Sequence, residues 1–400
     1  MTSHPARTRL AAGLAGLAVA TGLGAVPAPA AAAPRLAPAA GPVLHEGDRL
    51  AVPGSFIVTW RRPPAGGPAA AASVAGRYRA AVTATYAAGQ AGFAARMPLE
   101  SARRLAADPA VASVEQDRWV RAETVQRSSS WGLDRVDQRR LPLTRTYRYP
   151  AARATVTAYV LDTGLRTTHR EFRGRARYGY DFVNRRANAN DCEGHGTHVA
   201  GTLGGNTYGV AKSVRLVGVR VLNCAGWGQY SQIIAGVNWV TSHARRPAVV
   251  NMSLGGGVSP ALDDAVRRGI ARGITFVAAA GNDGRDACGS SPGRVREVIT
   301  VGATDSRDRR ARFSNFGGCL DLFAPGVGIV SAFRLDNASL AKGSGTSMAA
   351  PHVAGAAALL LSRNPRLTPA QVAGALAARS TKYRVAGAGS GSPNRLLFVY

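Results

Sequence analysis

Lysine is almost missing from this chain. Three lysines stand among 50 basic residues, against 23 acidic ones, giving a formal charge of +27 over 400 residues. The arginines are scattered along the whole length, with no long basic block, no RNA-binding signature and no zinc-finger spacing. This distribution speaks for a general arginine bias that keeps the protein soluble, and against a nucleic-acid-binding surface. Past the N-terminal region no run is long and apolar enough to span a bilayer as a helix. Cysteine is scarce too. Cys192, Cys224, Cys288 and Cys319 form no close C-x-x-C pair, which removes the usual thiolate zinc site. An even number of cysteines in an exported chain implies two disulfides, and three pairings are open. The pattern H-E-x-x-H is absent, and internal repeats are absent as well.

What is present begins with a leader. Arg7 and Arg9 precede an apolar stretch over 10–26, and a small-residue run over 28–33 follows. That is the order of a secretory signal peptide, so residues 1–33 are expected to be removed and the protein to be secreted, extracellular and soluble. A Pro/Ala-rich spacer covers 34–51. The next unit, 52–127, has no cysteine and interleaves strands (56–60, 92–97, 111–115) with helices (69–86, 99–107), an α+β pattern. A polar stretch over 126–130 reads as a junction open to cleavage.

From 128 to 400 the pattern changes. Nearly unbroken apolar runs at 156–161, 216–221, 249–252, 275–279 and 298–301 read as strands buried on both faces. Helix-like segments at 197–203, 231–242, 261–273 and 348–361 alternate with them. The expected fold is α/β, a parallel sheet with helices on both faces.

Functional groups in such sheets gather at the carboxyl ends of the strands. Asp162 stands there, after the run 156–161 and before Thr163-Gly164. His195 lies between Gly194 and Gly196 at the start of a helix, and His198 follows one turn later. The two histidines could share a metal, but no third histidine clusters with them. Ser347 opens an apolar helix behind Gly345-Thr346, where a helix N-terminus favours developing negative charge. Asp162 and Ser347 could each be a simple cap in isolation. Chain order is informative: an α/β-hydrolase needs its acid and histidine after the serine, and a chymotrypsin-like plan needs histidine before acid on an all-β chain. Acid, histidine, serine on a parallel sheet is the remaining plan.

The segments 160–164, 194–201 and 345–355 resemble the three signature motifs of subtilisin-like serine proteases (peptidase family S8), most of all the proteinase K and aqualysin branch. The unit 52–127 resembles that family's inhibitor propeptide, a small ferredoxin-like α+β fold. The resemblance implies Ser347 as nucleophile, His195 as general base and Asp162 as its orienting acid, with Asn282 as oxyanion donor. It also implies substrate edges at Gly226-Trp227-Gly228 and Ser253-Leu254-Gly255, and a pocket bordered by Ala279-Ala280-Gly281. Trp227 is bulkier than the small residue expected there. The implied disulfides are Cys192–Cys224 and Cys288–Cys319. A structural calcium, and no catalytic metal, is implied at the Asp321 carboxylate and the carbonyls of Arg296 and Val298. Asp134, Asp137 and Gln138 begin a second calcium motif, but Thr144 and Thr146 replace its expected acidic or amide ligands. The expectation is therefore a monomeric, self-processed endopeptidase of broad specificity preferring a bulky apolar or aromatic P1 residue, the one supplying the scissile carbonyl. Its partners would be protein substrates and its own propeptide, with neither nucleic acid nor membrane. The competing expectation is a catalytically silent binding protein on the same fold.

Overall fold

The computed structural model describes residues 40–48, 51–86, 92–118, 123–150 and 155–399. The expected signal peptide over 1–33 lies outside the described residues, as do 34–39 and 49–50 of the spacer. By internal packing the chain divides into Met1–Val120 and Arg121–Tyr400.

The first unit contains β1 (Val43–Leu44), β2 (Ala51–Trp60), α1 (Gly67–Arg77), β3 (Ala81–Tyr86), β4 (Gly92–Arg96), α2 (Leu99–Ala106) and β5 (Val111–Arg118). Its five strands lie in the order β1-β5-β2-β4-β3. The pattern of alternate residues in β2 explains the core: Phe56, Val58 and Trp60 face inward with Ala71, Ala75 and Leu105 of the helices. One expectation needs correction. The Ala-rich stretch 69–86 is not a single helix, because α1 ends at Arg77 and Arg79 turns the chain at φ 56°. Val82, Thr83, Thr85 and Tyr86 are β-branched or aromatic, and their strand preference prevails beyond the turn.

The second unit opens with β6 (Glu123–Arg127), α3 (Trp131–Val136) and β7 (Thr146–Pro150), followed by β8 (Thr157–Asp162), β9 (Ala176–Asp181), α4 (His195–Gly204), β10 (Arg215–Arg220) and α5 (Tyr230–His243). Next come β11 (Ala248–Met252), α6 (Pro260–Ala271), β12 (Thr275–Ala279), β13 (Ile299–Thr304), β14 (Leu322–Pro325), β15 (Ile329–Ala332) and β16 (Leu340–Gly343). The chain finishes with α7 (Thr346–Arg363), α8 (Pro369–Arg379), β17 (Thr381–Lys382) and β18 (Arg395–Leu396). The polar stretch read as an open junction is partly β6, which pairs antiparallel with β7 from Glu123 opposite Pro150 to Arg127 opposite Thr146.

Nine strands form the main sheet in the order β17-β18-β14-β13-β12-β11-β8-β10-β9. All neighbouring pairs are parallel except β17 with β18. Strand β8 explains why both faces are covered. Its Ala158 and Val160 join the apolar layer of α4 and α7, while Tyr159 and Leu161 join that of α5 and α6. The chain leaves β8 for β9 and β10 on one side, then crosses to β11 on the other. That reversal opens a crevice beyond the carboxyl end of β8, where Asp162 is the last residue. Away from it, fully buried Arg135 grips Asp308 with two hydrogen bonds of 2.6 and 2.9 Å, tying α3 to the loop after β13.

Candidate active site

Asp162 is fully buried. Its Oδ1 accepts the Thr163 N–H at 2.8 Å and lies 2.7 Å from His195 Nδ1, while Oδ2 has no partner among the described residues. The two elements meet because glycine stands at 196: a Cβ there would strike the Gly164 carbonyl and approach Asp162 Cβ to 3.2 Å. Burial alone would lower the His195 pKa. The Asp162 charge and hydrogen bond, aided by Glu193 and Asp191, outweigh it and raise the imidazole to about 9. His195 is thereby held with its Nε2 end toward the cleft and with strong proton affinity.

The loop before His195 is pinned by Asp191, a residue the motif reading passed over. Asp191 Oδ1 accepts Thr163 Oγ1–H at 2.9 Å, Glu193 N–H at 3.0 Å and Gly194 N–H at 2.8 Å. Its Oδ2 accepts Thr197 N–H at 2.9 Å. One buried carboxylate thus satisfies orphan donors at the start of α4 and fixes where the imidazole begins. The only sequence signal for it is an acid three residues ahead of Gly194. The metal reading of His195 and His198 fails on geometry. His198 Nε2 is spent on the Ile329 carbonyl at 3.0 Å, and burial lowers its pKa to about 4, so it is a neutral core residue.

Ser347 is the second residue of α7. Its hydroxyl donates to the Ser253 carbonyl at 3.1 Å, and no hydrogen bond joins it to His195 among the described residues. Ser253 answers by donating its own hydroxyl to the Ser347 carbonyl at 2.7 Å. This reciprocal pair locks the loop after β11 to the start of α7. Asn282 follows β12, and its Oδ1 accepts both Thr346 N–H at 2.8 Å and Thr346 Oγ1–H at 3.0 Å. With the oxygen so held, the amide Nδ2 is turned away from Thr346 and left as a free donor among the described residues.

These groups line one cleft of about 770 Å³ that contains His195, Asn282 and Ser347. All the residues assigned to the substrate edges and pocket (226–228, 253–255 and 279–281) line it too. The pocket borders are small, as expected. The cleft also includes Glu193, Tyr230 and Arg285, which sequence reasoning did not place there. Tyr230 O–H donates to the Gly257 carbonyl at 2.7 Å, joining the two walls. Both disulfides, Cys192–Cys224 and Cys288–Cys319, are formed as the resemblance implies.

The calcium candidates differ. Asp321 is half-buried, and desolvation, opposed by the Thr300 N–H and Arg395, pushes its carboxyl up to about 6. Among the described residues only Oδ2 is engaged, by Thr300 N–H at 2.8 Å. A desolvated carboxylate with one oxygen unspent is a hard donor suited to a divalent ion. Arg294, Arg296 and Arg395 line the same depression and oppose that ion electrostatically. At the second motif Asp134 is consumed by the loop itself, accepting Thr144 N–H at 3.1 Å, Thr144 Oγ1–H at 3.0 Å and Arg145 N–H at 2.6 Å. That set does not fit a metal.

A parallel α/β sheet with a buried Asp–His pair and a helix-initial serine in one cleft defines the layout of a serine hydrolase. Comparison with known proteins makes the class specific. The chain matches the Subtilase family over residues 154–395 and the Peptidase inhibitor I9 family over residues 67–123. It is 50% identical over 369 residues to "Extracellular serine proteinase" of Thermus sp. (strain Rt41A), covering 87% of this chain and 90% of that one. It is also 50% identical over 313 residues to "Alkaline serine exoprotease A" of Vibrio alginolyticus, covering 77% of this chain and 58% of that protein. A solved cold-adapted subtilisin-like serine proteinase superposes with a TM-score of 0.66 at 53% identity, covering 68% of this chain and 99% of that one. The chain belongs to the subtilase family and is a subtilisin-like serine proteinase with an inhibitor-type propeptide region.

Proposed function

We propose that the protein is a secreted endopeptidase of broad specificity that cuts after bulky apolar or aromatic residues and matures by its own activity. The observation that carries this reading is the meeting of the Asp162–His195 hydrogen bond, Ser347 and Asn282 in one cleft bordered by small residues. Ser347 Oγ attacks the scissile carbonyl. His195 Nε2 takes the hydroxyl proton, then delivers it to the leaving amine, and Asp162 keeps Nδ1–H in place and stabilises the charged ring. Ser347 must turn from the Ser253 carbonyl toward His195 to react, a single side-chain rotation. The oxyanion then faces the Asn282 amide and the N-terminal end of α7. Water completes the second half by the same route in reverse.

The leader supports export, and two disulfides suit an oxidising exterior. The extracellular relative points the same way. The propeptide region supports a precursor whose first unit is removed near 127, and the proteinase domain is read as a monomer. A chromogenic peptide ending in Phe is expected to be cleaved about a hundredfold more efficiently than one ending in Gly. Equal rates would remove the proposed pocket preference, and failure to cleave either peptide or casein would remove the function.

Calcium at Asp321 with the Arg296 and Val298 carbonyls would cross-link the turn before β13 to the start of β14, a structural and not a chemical contribution. Millimolar calcium is expected to raise the melting temperature of the mature enzyme, and Asp321→Asn to abolish that increment. A melting curve indifferent to both calcium and chelator would exclude the site.

A further inference from the structure

The cleft has few charged side chains, and most are already spent. Asp283 and Arg285 pair with each other at 3.1 Å, and His195 is held by Asp162. Glu193 is different. Its Oε2 accepts the main-chain N–H of His195 at 2.6 Å, which fixes the carboxylate at the start of α4, while Oε1 makes no hydrogen bond among the described residues. Arg334 approaches but donates to the Glu193 main-chain carbonyl at 2.8 Å, and forms no ion pair with the carboxylate. Asp191 behind it is buried and committed to N–H and hydroxyl donors, adding to the negative field.

Trp227 lines the same cleft and is 77% exposed. Its loop is stiff, since Asn223 Oδ1 accepts both Ala225 N–H at 2.9 Å and Trp227 N–H at 3.0 Å. The neighbouring Cys224 is bonded to Cys192, the residue just before Glu193. One disulfide therefore mounts the carboxylate and the indole on a common frame. A peptide laid along the two edges alternates its side chains. With P1 in the pocket bordered by Ala279–Gly281, the preceding residue, P2, points to the opposite wall, where His195 and Glu193 stand.

We propose that Glu193, with the indole of Trp227, selects a lysine or arginine side chain at P2. The free carboxylate oxygen pairs with the cation, and the indole face adds a cation–π contact. An acidic P2 would meet the Glu193 carboxylate, with the buried charge of Asp191 behind it. This preference runs against the charge of the chain as a whole, whose +27 favours acidic partners at long range.

The proposal rests on the proteinase reading above, and the test separates the two. Purified mature enzyme is assayed on Ala-Ala-Xaa-Phe p-nitroanilides with Xaa as Lys, Leu or Glu. Wild type is expected to prefer Lys to Glu by about 30-fold and Lys to Leu by about fivefold, with both ratios shrinking in about 0.5 M salt. Glu193→Gln keeps an acceptor for the His195 N–H but loses the charge, and its Lys-to-Glu ratio is expected to fall to about one. Glu193→Asp should restore part of the preference. Each ratio is internal to one enzyme, so a general loss of activity or folding does not distort it, and the salt series needs no variant. Wild-type ratios near one, or an undiminished ratio in Glu193→Gln, would overturn the proposal. Cleavage of the Leu peptide that disappears in Ser347→Ala upholds the proteinase reading in either case.

Discussion

Ser347→Ala is expected to lower peptide hydrolysis by about a million-fold while leaving the proteinase unit folded, a scale taken over from subtilisin itself. Folding should survive because little structure depends on this hydroxyl. It makes one hydrogen bond, to the Ser253 carbonyl, at a half-buried position, while the return bond from Ser253 runs to the Ser347 main chain and is kept. A loss of one such bond costs about 1 kcal/mol. The chemistry depends on the hydroxyl wholly, since it supplies the attacking oxygen of the proposed mechanism. The precursor of the variant is expected to stay at full length on a gel, whereas wild type shortens by removal of the first unit. A variant that still hydrolyses within tenfold of wild type would reduce Ser347 to a helix-start residue.

Asp162→Asn should be the next most damaging change, by about ten-thousandfold in turnover. The carboxylate accepts from both His195 Nδ1–H and Thr163 N–H. Both bonds fall on Oδ1, so an amide that keeps its oxygen there loses the charge, and one that turns its NH2 there faces both donors and favours the tautomer with its proton on the wrong nitrogen. The pH profile distinguishes this from simple structural damage. Activity needs neutral His195, so a raised imidazole pKa places the acid limb of kcat/KM above the ordinary 6.5. Burial lowers that pKa and Asp162 is the largest influence raising it. Without the charge, burial prevails and the residual acid limb should move down in pH. A residual limb unmoved from wild type would mean that Asp162 does not govern the imidazole.

Much of this site was legible in the sequence because each member sits where a local pattern ends. Asp162 closes an apolar run that could only be a buried strand, and His195 and Ser347 each stand at a helix start marked by glycine. The helices around them were found within a few residues for the same reason: long apolar periods leave little choice. What was hidden depends on contacts distant in sequence. Asp191 looks like any loop acid until Thr163, Gly194 and Thr197 converge on it. Thr346 earns no notice beside Ser347, yet it is what turns the Asn282 amide toward the cleft. Strand β6 has a polar sequence and exists only because β7 lies beside it. The hairpin of β15 and β16 joins strands of only four residues each, too short for an apolar run or alternation to register. The break between α1 and β3 was missed because alanine-rich sequence suits a helix until a single turn residue, Arg79, ends it.

The most direct test of the central claim is covalent labelling with an organofluorophosphate, followed by peptide mapping of the inactivated enzyme. Phosphorylation needs a serine activated by a neighbouring base and a site that stabilises negative charge on the phosphoryl oxygen as the serine adds and fluoride leaves, the same demands as peptide hydrolysis. One adduct is expected, on Ser347, forming in step with loss of proteolysis, and its formation should fail in acid as His195 takes up a proton. Inactivation with the adduct on another residue, or full proteolysis after Ser347 has been labelled to completion, would contradict it.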